Sequence, residues 1–302
     1  MTTTMPGPVV VVGAGVMGRG IAYVAAIAGA TVDLVDLDPD VLASALTAIE
    51  RDLQTGLERG KVTPSQAAEA RDRLTTSTDL RASAAGSRLV IEAVVERMDV
   101  KHGVLREVEA VVDADAVLAT NTSAMSVTEI MSILDDPSRG CGMHFFNPVP
   151  RMKLCELIRG AHTSETTLRT ARAAAEAMGK QTVTVNDVAG FATSRLNALI
   201  GSEGMRMLED GVASAEDIDL AARLGLNHPM GPLEMGDLVG WDTRLDILVY
   251  LAEHLGDRFT PTDLHRRLVA AGRTGRKSGH GVYRYEDDGT RTNAPANLTN
   301  LM

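Results

Sequence analysis

Short apolar runs alternate with longer amphipathic stretches over the first 187 residues of the chain. Residues 8–12 (PVVVV) are uninterruptedly apolar and end at Gly13, and from Val16 onward the stretch VMGRGIAYVAAIAG carries apolar residues at helical spacing as far as Gly29. Residues 31–37 (TVDLVDL) return to β-rich character, after which Asp38-Pro39 offers a cap and a first-turn proline for a new helix. Strand, tight turn, helix and strand make a βαβ unit. Residues 40–74 are polar and helical, interrupted at Gly60, and Thr63-Pro64-Ser65-Gln66 supplies the cap, proline and capping-box Gln of a restarted helix. An antiparallel helix pair projecting from a sheet is therefore expected. Apolar segments at 89–95, 117–120, 141–145, 153–158 and 181–185 predict further strands, with helices between several of them. Beyond Asp187 the pattern becomes helical only: 191–210 closed by Gly211, 214–224 closed by Gly225, then two more helices through residue 268. The boundary falls near 186–189. The chain reads as α/β, a doubly wound sheet over residues 1–187, followed by an all-helical domain over 188–302.

Composition acts mainly by exclusion. The 302 residues are 44% hydrophobic and 23% charged, enough to bury two cores. No apolar run approaches the roughly 20 residues that span a bilayer, and the start MTTTMPGPVVVV lacks a basic leader region, so a cytoplasmic protein is expected. Cys141 and Cys155, with no CxxC, predict buried reduced thiols. A net charge of −10 argues against nucleic acid or an anionic membrane as partner, yet leaves room for a small anionic ligand held by backbone N–H groups. Seven His residues show no HExxH or comparable spacing, so no metal is expected.

Gly13-Ala14-Gly15-Val16-Met17-Gly18 is a GxGxxG placed directly after a strand and opening a helix, with Asp36 ending the second strand 18 residues past Gly18. Gly13 permits the tight turn, Gly15 leaves room for a pyrophosphate, and Gly18 lets helix and strand approach. These positions with Met17 predict a Rossmann-type dinucleotide site. Asp36 would accept from ribose hydroxyls and repel a 2′-phosphate, which favours NAD over NADP. The fingerprint is shared with FAD proteins and does not define a reaction.

Polar residues at the ends of later strands supply candidate chemistry: Asn121-Thr122-Ser123, His144 before Phe145-Phe146-Asn147-Pro148, and Glu156 inside the apolar stretch 154–158. A His at a strand end can face a cleft, and a Glu on a neighbouring strand can orient it, which is what alcohol oxidation requires of a general base. Taken alone, such a pair is more often structural, and a Ser before a helix is more often a cap. Cys155 reads as a core thiol.

The segments GAGVMGRGIA, VIEAVVERMDVK, ATNTSAMSV, GMHFFNPVPRMKLCELI, GFATSRL, GLNHPMGPLEMGDLVGWDT and GRKSGHGVYRY together resemble the 3-hydroxyacyl-CoA dehydrogenase family, in order and over nearly the whole chain. Among its members the chain looks most like stand-alone bacterial enzymes acting on 3-hydroxybutyryl-CoA, since no hydratase domain accompanies the motifs. The resemblance implies NAD-dependent oxidation of a short-chain L-3-hydroxyacyl-CoA, with His144 as base, Glu156 as its partner and Ser123 as a donor near substrate hydroxyl and nicotinamide. It places Glu96, Lys101 and Asn147 beside the cofactor, makes Arg59 and Lys61 candidates for CoA phosphate contact, and implies a dimer formed by the helical domain. Where the family motif commonly has Asn, this chain has Ser194, at a substrate-contacting position. Two rivals remain at this point: a related enzyme acting on a free hydroxy acid of L-gulonate or carnitine type, and a catalytically silent NAD-binding protein. The GLNHPMGPLEMGDLVGWDT segment favours the CoA branch.

Overall fold

A computed structural model describes residues 5, 7–294, 296, 298, 300 and 301. The chain divides into two compact units, the first ending at Val188 and the second beginning at Ala189.

The first unit opens with β1 (Val9–Val12), α1 (Val16–Ile27) and β2 (Val32–Val35), followed by the helices α2 (Pro39–Glu58) and α3 (Pro64–Arg73) and the strand β3 (Leu74–Ser77). It continues through α4 (Leu80–Ala84), β4 (Leu89–Glu92), α5 (Met98–Glu109), β5 (Val117–Thr120), α6 (Val127–Met131), β6 (Gly140–Phe145), β7 (Leu154–Arg159), α7 (Glu165–Ala177) and β8 (Gln181–Asn186). The eight strands form one sheet in the order β3-β2-β1-β4-β5-β6-β7-β8. The pairs from β3 to β6 are parallel; β7 turns back antiparallel to β6, and β8 follows it in parallel. Order reverses at β1, which puts the ends of β1 and β4 at the topological switch point where such sheets bind ligands.

The central strands read VVVV and LVIE because both faces are covered by helices. The helix pair closes on α1: Leu42, Ala45, Ile49, Leu53, Val62, Ala67 and Ala70 are buried in one core with Ile21, Ala22 and Ala25. Thr63 caps α3 with the full capping box, its hydroxyl accepting from Gln66 N while the Gln66 side chain accepts from Thr63 N. Cys141 and Cys155 are buried free thiols, and burial pushes Cys141 up to about 12. β3 was not foreseen. Its sequence LTTS has no apolar alternation, and residue 74 falls at the end of the helical pattern; it forms as an edge strand because β2 offers it an open side.

The second unit is helical: α8 (Thr193–Glu209), α9 (Ala215–Gly225), α10 (Pro232–Val239), α11 (Trp241–Leu255) and α12 (Asp263–Ala270). Three helices lie between Pro232 and Ala270 where the pattern predicted two, because Gly240, at φ +101°, breaks the run between α10 and α11. Two buried carboxylates organise this unit. Asp219 accepts from Leu233 N, Glu234 N and the Tyr283 hydroxyl; Asp237 accepts from Val282 N, Tyr283 N, the Trp241 indole and the Tyr285 hydroxyl. The distinctive GLNHPMGPLEMGD and GRKSGHGVYRY segments are thus tied together by hydrogen bonds to buried charges.

Candidate active site

The first turn after β1 is shaped for a close approach. Gly13 has φ +99°, and a Cβ there would lie 2.7 Å from the Ala93 carbonyl oxygen; a Cβ on Gly18 would lie 1.7 Å from that of Gly13. Neither position tolerates a side chain. At Gly15, by contrast, a Cβ would meet nothing within 4 Å, and α1 starts there with no side-chain cap and no acid in its first turn. Its leading N–H groups are free for an anion, which is what a dinucleotide pyrophosphate needs. Met17, the second residue of α1, is half-buried. Asp36, just past β2, is pinned beside the same turn: its carboxylate accepts from Ala14 N at 2.8 Å and from Asp38 N at 3.1 Å. These residues fit NAD.

Three neighbouring strands bring the catalytic candidates together. β6 and β7 are antiparallel with His144 directly opposite Glu156, so the two side chains project from the same face. His144 Nδ1 lies 2.7 Å from Glu156 Oε2, and both residues are buried. A carboxylate can only accept, so the proton at Nδ1 is directed to Glu156, and Nε2 lies 3.1 Å from the Ser123 hydroxyl. Ser123 follows β5. The line Ser123–His144–Glu156 is a hydroxyl, an imidazole and a buried carboxylate in hydrogen-bonding sequence. Asn121 braces it, its side-chain oxygen accepting from Phe145 N at 2.9 Å.

Glu96 and Lys101 take different places from each other. Glu96 is half-exposed and accepts from the Thr122 hydroxyl at 2.9 Å and from Ser123 N at 3.1 Å, fixing the loop that carries Ser123. Lys101 is wholly buried; its ammonium lies between Glu92, at 2.9 and 3.1 Å, and Glu96, at 3.2 Å. It is neither a solvated helix charge nor a group open to a ligand, but the support of Glu96. Glu92, at the end of β4, was missed from the sequence. Buried, and bonded also by Val94 N and the Thr120 hydroxyl, it has its pKa raised by desolvation against the opposing pull of Lys101. The signal was the one that exposed Glu156, an acid within an apolar strand.

Asn147 is exposed and lines a cavity of about 1040 Å³ with the turn that follows it. Arg19 of α1, Arg51, Arg59 and Lys61 of the helix pair, Arg151 and Lys153 of the turn, and Lys180 also line it, against a single carboxylate among the described residues, Asp52. Arg59 and Lys61 thus share one cavity wall, and the sequence had pointed to neither Arg19, Arg51 nor Lys180. Ser194 lies in the second unit, half-buried in the first turn of α8.

The fingerprint turn and the Ser–His–Glu line at the strand ends define an NAD-binding protein of the dehydrogenase class. Residues 8–188 match the model of the 3-hydroxyacyl-CoA dehydrogenase NAD-binding domain, and residues 190–285 match that family's C-terminal domain. The chain belongs to the 3-hydroxyacyl-CoA dehydrogenase family. It is 41% identical over 280 residues to a probable 3-hydroxybutyryl-CoA dehydrogenase of Bacillus subtilis, covering 92% of this chain and 97% of the relative. Over 276 residues it is 39% identical to a 3-hydroxybutyryl-CoA dehydrogenase of Bradyrhizobium diazoefficiens, covering 91% and 94%. The crystal structure of the (S)-3-hydroxybutyryl-CoA dehydrogenase of Ralstonia eutropha superposes with a TM-score of 0.90 at 37% identity, covering 94% of this chain and 100% of that one. Among the described residues no helix is long and apolar enough to cross a membrane.

Proposed function

We propose that this chain catalyses the NAD-dependent oxidation of a short-chain L-3-hydroxyacyl-CoA, such as 3-hydroxybutyryl-CoA, to the 3-ketoacyl-CoA, and the reverse reduction. The observation that carries this reading is the hydrogen-bonded line from Ser123 through His144 to Glu156. His144 Nε2 takes the proton of the 3-hydroxyl, Ser123 donates to that oxygen, and Glu156, held at Nδ1, stabilises the imidazolium that results. NAD, when bound, accepts the hydride. The N-terminus of α1 at Gly15 would hold its pyrophosphate and Asp36 its adenosine ribose, with Glu96 and Asn147 as further contacts to it. Lys101 acts through Glu96.

The basic cavity supports a CoA thioester over a free hydroxy acid. Six of the cationic side chains around this space, all but Lys180, whose ammonium is bonded to two main-chain carbonyls, suit the several phosphate charges of CoA on a chain of net charge −10, with Arg59 and Lys61 as direct contacts. The helical unit is proposed to form a homodimer. Leu196 and Ile200 on α8, and Leu220 and Leu224 on α9, are exposed apolar pairs at i,i+4 spacing that a second copy would cover.

The test is the loss of NADH absorbance with acetoacetyl-CoA. Turnover is expected with NADH, and roughly 10²-fold lower kcat/KM with NADPH, because the pinned Asp36 carboxylate cannot swing away from a 2′-phosphate. Turnover of free acetoacetate but not of the thioester would overturn the CoA assignment, and no turnover of either would leave only a nucleotide-binding protein.

A further inference from the structure

Lys180 stands between α7 and β8, is almost wholly buried, and pairs with no carboxylate among the described residues. Its ammonium donates instead to two main-chain carbonyls, Val149 O at 2.5 Å and Met152 O at 2.9 Å. Both belong to the turn that joins β6, with His144, to β7, with Glu156. The same turn begins at Asn147 and forms one wall of the basic cavity. From the other side it rests on α1: a Cβ on Gly20 would come within 2.9 Å of the Val149 Cβ, so helix and turn are in close contact. A backbone bond from Gln181 N to Lys153 O, 2.7 Å, closes the attachment.

Removing an ammonium from water without a counter-ion is costly, and an apolar side chain of similar length would fill the same space. What the charge adds is two strong hydrogen bonds to the main chain of the turn, at Val149 O and Met152 O. We propose that Lys180 is a positioning residue that fixes the height of the 147–152 turn over α1, and with it Asn147 and the wall against which acyl-CoA lies. This inference rests on the dehydrogenase reading above. Its effect falls on ligand binding rather than on proton transfer, because His144 and Glu156 are held by their own strands and Ser123 by the loop that Glu96 fixes.

Steady-state kinetics of the full chain with acetoacetyl-CoA and NADH test it. Lys180→Met should raise the KM for acetoacetyl-CoA by about five- to twentyfold while kcat changes by less than about threefold. The pH profile of kcat should stay that of the parent, and Lys180→Arg, which keeps charge and donors, should bring KM back to within about twofold. Lys180→Gln keeps N–H donors on a shorter, neutral stem and should give an intermediate KM; it replaces the Met chain if that chain does not fold. An unmoved KM in either neutral variant, or activity that falls only with the fraction of folded protein, overturns the proposal. If the parent chain fails to turn over acetoacetyl-CoA, the dehydrogenase reading falls by itself; calorimetric affinities for CoA then decide Lys180, with equal values for parent and Met variant overturning its role.

Discussion

His144 and Glu156 are twelve positions apart in sequence and 2.7 Å apart in space, because an antiparallel register sets them directly opposite each other. Sequence reading singled out His144 and Ser123 as polar residues at the ends of apolar runs and Glu156 as an acid inside one, and only the family resemblance gave them a role. It could not give the register, which depends on the turn between the strands. With the imidazole oriented in this way, His144→Ala is expected to lower kcat by roughly 10²–10⁴-fold with NADH affinity nearly unchanged. Glu156→Gln keeps the volume and removes the charge that stabilises the imidazolium, so it too should be severely slow. Stopped-flow measurement of the chemical step, with a separate NADH titration, separates the two effects. A His144→Ala chain that kept more than about a tenth of the rate would remove His144 from the base role. The third polar cluster was less legible. Lys101 sits on a helix whose sequence, MDVKHGVLREVE, resembles a solvated surface face; only the packing of that helix on the sheet decides that this position points inward.

Elements were easier to read than contacts. The βαβ start, the capping box at Thr63 and the boundary near 188 all rest on local chemistry, whereas β3 depends on a neighbour and left no trace in its own sequence. α5 shows how an element binds two strands to a loop. Through Lys101 it joins Glu92 at the end of β4, and through Glu96 the loop after β5 that carries Ser123. Glu92 also takes the Thr120 hydroxyl at 2.6 Å. Lys101→Met would leave Glu92 buried without a cation, in a site whose desolvation already raises its pKa. The expected loss is roughly 3–5 kcal/mol of stability, as for other buried pairs broken from one side. Lys101→Met, Glu92→Gln together should recover part of it, since a neutral amide needs no counter-charge. Urea unfolding of the two chains checks this; equal stability of the single and double variants would mean that the pair is not coupled.

At the scale of the whole molecule, the two units keep separate cores, and the second carries the protein's single tryptophan at its centre. Trp241 is wholly buried, and His265 packs edge-on against it with ring centroids 4.9 Å apart. His265 Nε2–H donates to the Trp241 carbonyl at 2.7 Å, while Nδ1 is buried without a hydrogen-bond partner among the described residues. A proton on Nδ1 would therefore have no acceptor, and burial, aided by the charges of Arg244 and Arg266, lowers the His265 pKa to about 4 from the ordinary 6.5. The sign of the consequence follows from proton uptake. Below about pH 6.5 the unfolded chain binds a proton that the folded chain refuses until about pH 4, so the stability due to this residue is whole above the upper value and is lost as pH falls toward the lower one. At about 1.4 kcal/mol per pH unit the loss reaches roughly 3 kcal/mol, and about 2 kcal/mol by pH 5. His265→Gln can keep a donor toward the Trp241 carbonyl without a titrating group, so its unfolding free energy should decline less than the parent's between pH 7.5 and 5, by about that amount. Trp241 fluorescence during urea unfolding reads this unit directly. Parallel stability curves for the two chains would show that His265 takes up its proton equally in both states.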